Sequence, residues 1–460
     1  MKYISTRGDA APVDFTEAIL AGLAPDGGLY IPEAWPEIAP ARVNESYVSV
    51  ASRVIQAFAG EALPGSVIDQ ICEKAYGAFS HHSVAPLVQD GPNSFVMELH
   101  HGPTLAFKDV AMQLIAQLFD YVLGQRGQRL SVVCATSGDT GGAAAAAFAN
   151  IANVDMFILH PDKRVSPIQR MFMTTTGAEN VHNFAIEGDF DNCQAIVKAM
   201  FADKAFSAEV GLSAVNSINW ARIAAQCVYY ATAQAALGPQ RALRFVVPSG
   251  NMGDALAGYV AARCGLLHGF EATCAVNENR ALHELISEGV MNRMSAVATP
   301  SPAMDISVPS NFERLLFEIS GRDAATVRQV YEQFAQSGEV ILPDAVNSRM
   351  GCSGFSSQTV SNEDTTAEMV RYLAMTGATI CPHTAVGTAA ARRLPISETT
   401  TVVLSTAHAA KFPETVKEAT GRDVPLPERA KALLDLEEVY DHVAPSTEAV
   451  KAKISELCKH

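Results

Sequence analysis

The chain has no long uncharged apolar run, no paired C-x-x-C spacing, no basic stripe and no low-complexity tract. Each absence removes a class of protein. Without an apolar stretch of spanning length no transmembrane helix is expected, and Met1 to Asp9 carries no apolar signal core, so the expected address is the cytoplasm, with no membrane partner. The nine cysteines are odd in number and scattered, which reads as reduced, mostly buried thiols. Lys and Arg total 34 against 49 Asp and Glu, a formal charge of −15, and a chain so acidic offers no stripe for a polyanion. Nucleic acid is therefore excluded as an expected partner. His100, His101, His383 and His408 lie near candidate loops but show no H-E-x-x-H or Cys/His ligand spacing, so no metal site is expected.

What is present is apolar material, 48% of 460 residues, enough for two or three domain-sized units. From about Leu130 onward, short β-rich runs alternate with small-residue loops and helical stretches, the pattern of parallel α/β units. Leu130 to Cys134 leads into Thr136 to Gly142, Leu243 to Val247 into Pro248 to Asp254, and Thr400 to Leu404 into Ser405 to His408. In an open parallel sheet such loops gather beyond the strands' C-terminal ends, so all three are expected at one cleft. Residues 1–90 show helical periodicity after the turn Pro25 to Gly28 and read as an N-terminal accessory domain. Residues 91–460 form the remaining region, with a small subdomain at about 130–225 and a C-terminal helical segment at about 425–460. Val340 to Asp364, rich in serine and glycine, reads as an irregular insertion.

Three features could carry chemistry. Lys108 follows a Gly102-Pro103-Thr104 turn and precedes Val110, Leu114, Ile115, Leu118 and Val122, one face of a helix, which puts its amine at a helix N-terminus. The dipole and partial burial disfavour the ammonium form there, and a neutral amine is what Schiff-base chemistry needs. The same run has the spacing of a nucleotide phosphate loop, but Phe107 and Asp109 occupy positions where that loop needs glycine and a hydroxyl, so this reading fails. Ser137 to Gly142 and Ser249 to Asp254 each set small residues between a strand and a helix start, as anion cradles do. Which would hold a cofactor phosphate and which a substrate carboxylate is open at this level. Asn216, Ser217 and Arg222 bring amide, hydroxyl and guanidinium donors together and suit a phosphate ester.

Taken together, these motifs closely resemble the threonine synthases, in the branch with an extra N-terminal domain. The resemblance is nearly full length: Gly22-Leu23 to Gly27-Gly28-Leu29, His101 to Asp109, Ala135 to Gly141, Asn216 to Asn219, Pro248 to Asp254, and Thr406-Ala407-His408 with Lys411-Phe412. It implies an α/β fold like that of tryptophan synthase β, the second fold type of pyridoxal enzymes. That fold has open twisted, mostly parallel sheets in a large and a small domain, here with a mainly helical N-terminal domain.

It also implies pyridoxal 5'-phosphate as cofactor, bound covalently to Lys108, with Ser249, Gly250, Asn251, Met252, Gly253 and Asp254 around its phosphate and Thr406 at its ring nitrogen. Ser137, Gly138, Asp139, Thr140 and Gly141 are implied at the substrate's carboxylate, Asn216, Ser217 and Arg222 at its phosphate, and Thr104 as a further substrate-binding residue. The implied reaction converts O-phospho-L-homoserine and water to L-threonine and phosphate, by a monomer or homodimer. A phospholyase releasing a keto acid is the alternative within the same fold. Met252 and Ala409 depart from residues common in the family, phenylalanine and proline, and Ala409 puts the fine geometry beside Thr406 in question.

Overall fold

Strands that read as near-continuous apolar runs need cover on both faces, and the computed structural model, which describes residues 1–458, supplies it with two helix-flanked sheets. The larger has six strands in the order Phe355–Thr359, Ala272–Val276, Leu243–Pro248, Thr400–Ser405, Ser94–Glu98, Leu87–Gly91. All neighbours are parallel except the last pair, an antiparallel hairpin. The smaller has five parallel strands in the order Asp441–Val443, Val181–Ile186, Val154–Pro161, Leu130–Ala135, Leu212–Ser213. Val154–Pro161 and Leu243–Pro248 are buried at every position, as central strands of such sheets must be.

The helix Trp220–Leu237 joins the parts. Nearly all its residues are buried, because it packs on the helix Gly253–Arg263 and on the N-terminal helix Tyr47–Ala59. That helix turns Val50, Ala51, Val54, Ile55 and Phe58 inward. Trp220 is fully buried, with the rings of Phe58, Tyr3 and Trp35 at 5.5, 5.8 and 6.1 Å. The N-terminal segment thus shares one apolar core with the helices beneath the site. Tyr3–Ser5 pairs antiparallel with Tyr30–Pro32, the extended run after the Pro25 to Gly28 turn.

Two expectations are corrected. Val340 to Asp364 is no irregular insertion: it holds the helix Asp344–Met350 and the edge strand Phe355–Thr359, paired in register with Ala272–Val276. Its serines and threonines suit an edge, where one side of the strand faces water and apolar periodicity fades. The C-terminal segment is not purely helical either. Between Glu428–Lys431 and the helix Thr447–Leu457 it contributes Asp441–Val443 to the smaller sheet. Three residues are too few to show a period of two.

Candidate active site

The lysine turn is held from within and from a neighbouring loop. Thr104 donates its N–H and its hydroxyl to the two oxygens of buried Asp109, at 2.8 and 2.7 Å. Leu105 then takes a positive φ of 62°, a conformation that costs a non-glycine residue and persists where the surroundings over-determine it. Here they do: Ala106 bridges Ala407, the His408 N–H donates to Leu105 O at 3.0 Å, and the Phe107 N–H donates to Thr406 O at 2.8 Å. The helix Lys108–Arg126 starts on the next residue, as expected. The turn around Ala409 is secured without proline, because His408 Nδ1 accepts the Ala410 N–H at 3.1 Å.

Lys108 is only 9% exposed, its amine 4.7 Å from the centre of the Phe107 ring and 3.7 Å from an Asp139 oxygen. Burial pulls its ammonium below the ordinary lysine value; Asp139 opposes this, while Arg222 and Lys411 pull the same way. Asp139 is shared among three donors. Lys411, fully buried, pairs with it at 2.8 Å and Gln169 Nε2 donates to it at 3.0 Å. Burial alone would raise the Asp139 carboxyl, but Lys411 and Lys108 hold it well below the usual carboxylate range.

The two anion loops differ in what their amides already bond. In the first, Thr136 Oγ1 accepts the N–H groups of both Gly138 and Gly141 at 2.9 Å. Among the described residues, the N–H groups of Ser137, Asp139 and Thr140 have no partner. Gly138 is required: its φ is 139°, and a Cβ there would lie 2.5 Å from the Gln169 side chain.

In the second loop the N–H groups of Gly250, Asn251, Met252 and Gly253 have no partner among the described residues. Met252 takes a positive φ of 60° at the start of the helix Gly253–Arg263, which turns this run of amides toward one point. Asp254 accepts the Ala255 N–H through one oxygen and leaves the other buried without a bond, and burial pushes its carboxyl up to about 6. Thr406 is buried and its hydroxyl has no partner among the described residues.

Of the donor cluster, Asn216 and Ser217 are half-buried, their side chains without a partner among the described residues, and buried Arg222 donates to Val215 O at 3.3 Å. No carboxylate pairs with Arg222 among the described residues, and burial pulls its guanidinium down to about 10. A buried cation of this kind favours an arriving anion. Asn219, in the same run, is structural: it caps the helix Trp220–Leu237 and donates to Ile19 O at 2.7 Å.

The structure therefore brings Lys108, the two loops, Thr406 and Arg222 together, and engages Thr104 with Asp109 instead of leaving its hydroxyl free. Several residues escaped the sequence reading. Lys411, which the sequence offered only as part of a motif, neutralises Asp139, and Gln169 donates a hydrogen bond to it. Asn311 ties the second loop to the donor cluster, its N–H on Asn251 O at 3.2 Å and its amide on Ser217 O at 3.0 Å. Fully buried Arg314 fixes Asn311 Oδ1 and Ile218 O, both at 2.6 Å. A lysine inside the apolar run Ala409-Ala410-Lys411-Phe412 was the one available signal among these.

Comparison with known proteins gives a consistent result along the chain. Residues 2–76 match the model of the threonine synthase N terminus, 85–341 that of pyridoxal-phosphate dependent enzymes, and 384–454 that of the threonine synthase C-terminal region. The chain is 45% identical over 446 residues to threonine synthase of Pseudomonas aeruginosa, covering 95% of this chain and 94% of that protein. The crystal structure of pyridoxal-phosphate-bound threonine synthase from Brucella melitensis superposes with a TM-score of 0.96 at 46% identity, covering all of both chains. That of threonine synthase from yeast superposes at 0.92 with 37% identity, covering 99% of this chain and 98% of that one.

Proposed function

Since the chain belongs to the threonine synthase family, we propose that Lys108 is the residue that binds the cofactor and carries protons in its reaction. The enzyme depends on pyridoxal phosphate and converts O-phospho-L-homoserine and water to L-threonine and phosphate. The observation that carries the assignment to Lys108 is its setting: a buried amine at a helix start, biased toward the neutral form, where three loops meet.

The residues present fit the cofactor. The free amides of Gly250 to Gly253 support the 249–254 loop as its phosphate cradle, with Ser249 and Asp254 at the loop's ends. The free hydroxyl of Thr406 would hold the ring nitrogen as a neutral partner. When bound, pyridoxal phosphate supplies the electron sink that proton removal at Cα and Cβ requires.

The chain supplies the rest. Lys108 would take the proton from Cα, give it up to the electron sink that the bound cofactor supplies, and so be a base again for the proton on Cβ, which its flexible four-carbon stem lets the same amine reach in turn. Asn216, Ser217 and Arg222 hold the substrate phosphate and stabilise its charge as it leaves Cγ. The amides of Ser137 and Thr140, beside Gly138, Asp139 and Gly141, receive the substrate carboxylate. Asp139 does not repel it strongly because Lys411 offsets that charge and Gln169 occupies the same carboxylate with a hydrogen bond. Thr104 serves through Asp109, fixing the turn that aims Lys108.

Nine free thiols, most of them buried, support a reducing, cytoplasmic setting, and the charge of −15 supports a small-molecule rather than a nucleic-acid ligand. Among the described residues no helix is long and apolar enough to cross a membrane. Incubation with O-phosphohomoserine followed by amino-acid analysis tests the reading. Threonine and phosphate in equal amounts are expected, and ketobutyrate without threonine would overturn it.

A further inference from the structure

His383 is the second residue of the helix Pro382–Arg392, 3% exposed, and lies outside the two anion loops and the donor cluster. Its ring lies within electrostatic reach of Asp139, Lys108 and Lys411, with the Phe412 ring centre 4.9 Å away. Its Nε2 accepts the backbone N–H of Ala303 at 3.1 Å. A backbone N–H can only donate, so Nε2 carries a lone pair and the proton of the neutral ring sits on Nδ1. Burial keeps the ring neutral, pulling it down to about 4.

Nδ1 is buried and has no partner among the described residues. A buried donor left unpaired costs free energy, and one beside a binding cleft is most economically explained by an acceptor that arrives with the ligand. The acceptors nearest to hand do not serve it: Asp139 is engaged by Lys411 and Gln169. Of the charges that reach the ring, Lys411 is matched by Asp139, and Arg222, within reach of Lys108, is a buried cation with no carboxylate bonded to it among the described residues. The arriving atom should therefore be an oxyanion.

We propose that His383 is a ligand-binding residue whose Nδ1–H donates to an oxyanion of the molecule bound beside Lys108, while Ala303 fixes the tautomer that makes it a donor. The oxygen belongs to the cofactor or to the substrate, and the inference rests on the functional reading above. The Ala303 contact also links His383 to the second anion loop, since the Ala303 carbonyl packs against Gly250, where a Cβ would come within 3.2 Å of it.

Two substitutions separate the donor from the Ala303 contact. His383→Asn places an amide nitrogen near the position of Nδ1 and gives up Nε2. His383→Gln places its amide near Nε2, where it can accept from Ala303, and removes the donor at Nδ1. For each protein the affinity of the cofactor-free form for pyridoxal phosphate is titrated by fluorescence, and KM and kcat for O-phosphohomoserine are measured on the reloaded enzyme. Glutamine is expected to weaken one of these by about tenfold or more, the worth of a bond to a charged acceptor, and asparagine to stay within about threefold of the parent.

Lost cofactor affinity names the cofactor's oxygen, whereas a raised KM with unchanged cofactor affinity names the substrate's. Parent-like behaviour of the glutamine variant in both measurements overturns the proposal. So does an asparagine variant as impaired as glutamine, which would mark His383 as a support for the Ala303 loop alone. A parent protein that binds no pyridoxal phosphate sinks the functional reading and this inference with it. Should both variants fail to melt cooperatively, nitrogen-15 NMR of the histidines in the parent decides. A proton on Nδ1 whose resonance moves when ligand is added supports the proposal, and a proton on Nε2, or an unmoved Nδ1–H, refutes it.

Discussion

Ser137 to Gly142 and Ser249 to Asp254 look alike as sequence, each a strand-to-helix loop of small residues with one aspartate, yet they are built as opposites. The first spends two amides on Thr136 Oγ1, and its Asp139 is fully charged and paired with Lys411. The second keeps its amides free, and its Asp254 is half-bonded and pushed up to about 6. A helix start becomes an anion site only to the extent that its donors remain unspent. Free amides beside a carboxyl that can be neutral suit a phosphate; fewer amides beside a neutralised charge suit a smaller carboxylate. Two aspartates with pKa values driven apart on either side of one lysine also mark this as the working end of the molecule.

The comparison has meaning only if Lys108 lies between the two loops and joins them in one reaction. Lys108→Ala is expected to abolish threonine formation and the visible absorption of the bound cofactor while leaving circular dichroism unchanged. Loss of its proton transfers alone accounts for roughly 10²–10⁴-fold. Retained turnover with retained colour would place the chemistry on another residue.

Asp139→Asn comes next in size, because it strands Lys411 as a buried charge. Removing one partner of a buried pair costs about 3–5 kcal/mol. Denaturant unfolding should show that loss, and Asp139→Asn with Lys411→Met should recover most of it. A single variant as stable as the parent would mean that the first loop is not closed by its ion pair.

Much of this is legible in the sequence. The alternation of apolar runs and small-residue loops placed three loops at one cleft, and the periodicity after Lys108 put its amine at a helix start. What stayed hidden depends on contacts between distant segments. Nothing around Asp139 announces Lys411, since one sits in a small-residue loop and the other in an apolar run far along the chain, and their pairing exists only once the two sheets meet. Asn311 and Arg314 are ordinary helix-start residues until they are seen clamping two loops. Thr136 read as one more small residue, although its hydroxyl decides how many amides the first loop has left. The strands Phe355–Thr359 and Asp441–Val443 were missed because edge position and brevity erase the pattern that marks a strand.

Asp254→Asn should act in the opposite direction to Asp139→Asn. A carboxyl raised by burial binds its proton more tightly in the folded than in the unfolded chain, so its contribution to stability is full below about pH 4 and is lost as pH rises through about 6. Asparagine keeps the Ala255 bond and carries no charge to bury. The variant should therefore match the parent near pH 4 and exceed it at pH 8 by up to about 3 kcal/mol, the free energy of two pKa units. His383 and His408, both pulled down to about 4 by burial, lose stability as pH falls below about 6.5, so parent and variant must be compared at each pH. Equal slopes for the two proteins would show that Asp254 is charged throughout and that the contrast between the loops is one of amides alone.

The smallest effect tests those amides. Thr136→Val keeps the methyl that packs at Gly141 and removes the oxygen that accepts from Gly138 and Gly141. Two weak bonds are lost, about 1–2 kcal/mol by calorimetry or denaturant titration. The more telling consequence is that the first loop then holds five free amides, those of Ser137, Gly138, Asp139, Thr140 and Gly141, against four in the second. If amide count governs anion binding, added sulfate should raise the melting temperature of Thr136→Val more than that of the parent, because an anion that binds only the folded chain stabilises it by mass action. An equal rise in both would mean that the charge of Asp139, rather than the hydroxyl of Thr136, keeps larger anions out of the first loop. In that case Asp139→Asn with Lys411→Met is the variant that should gain the sulfate response.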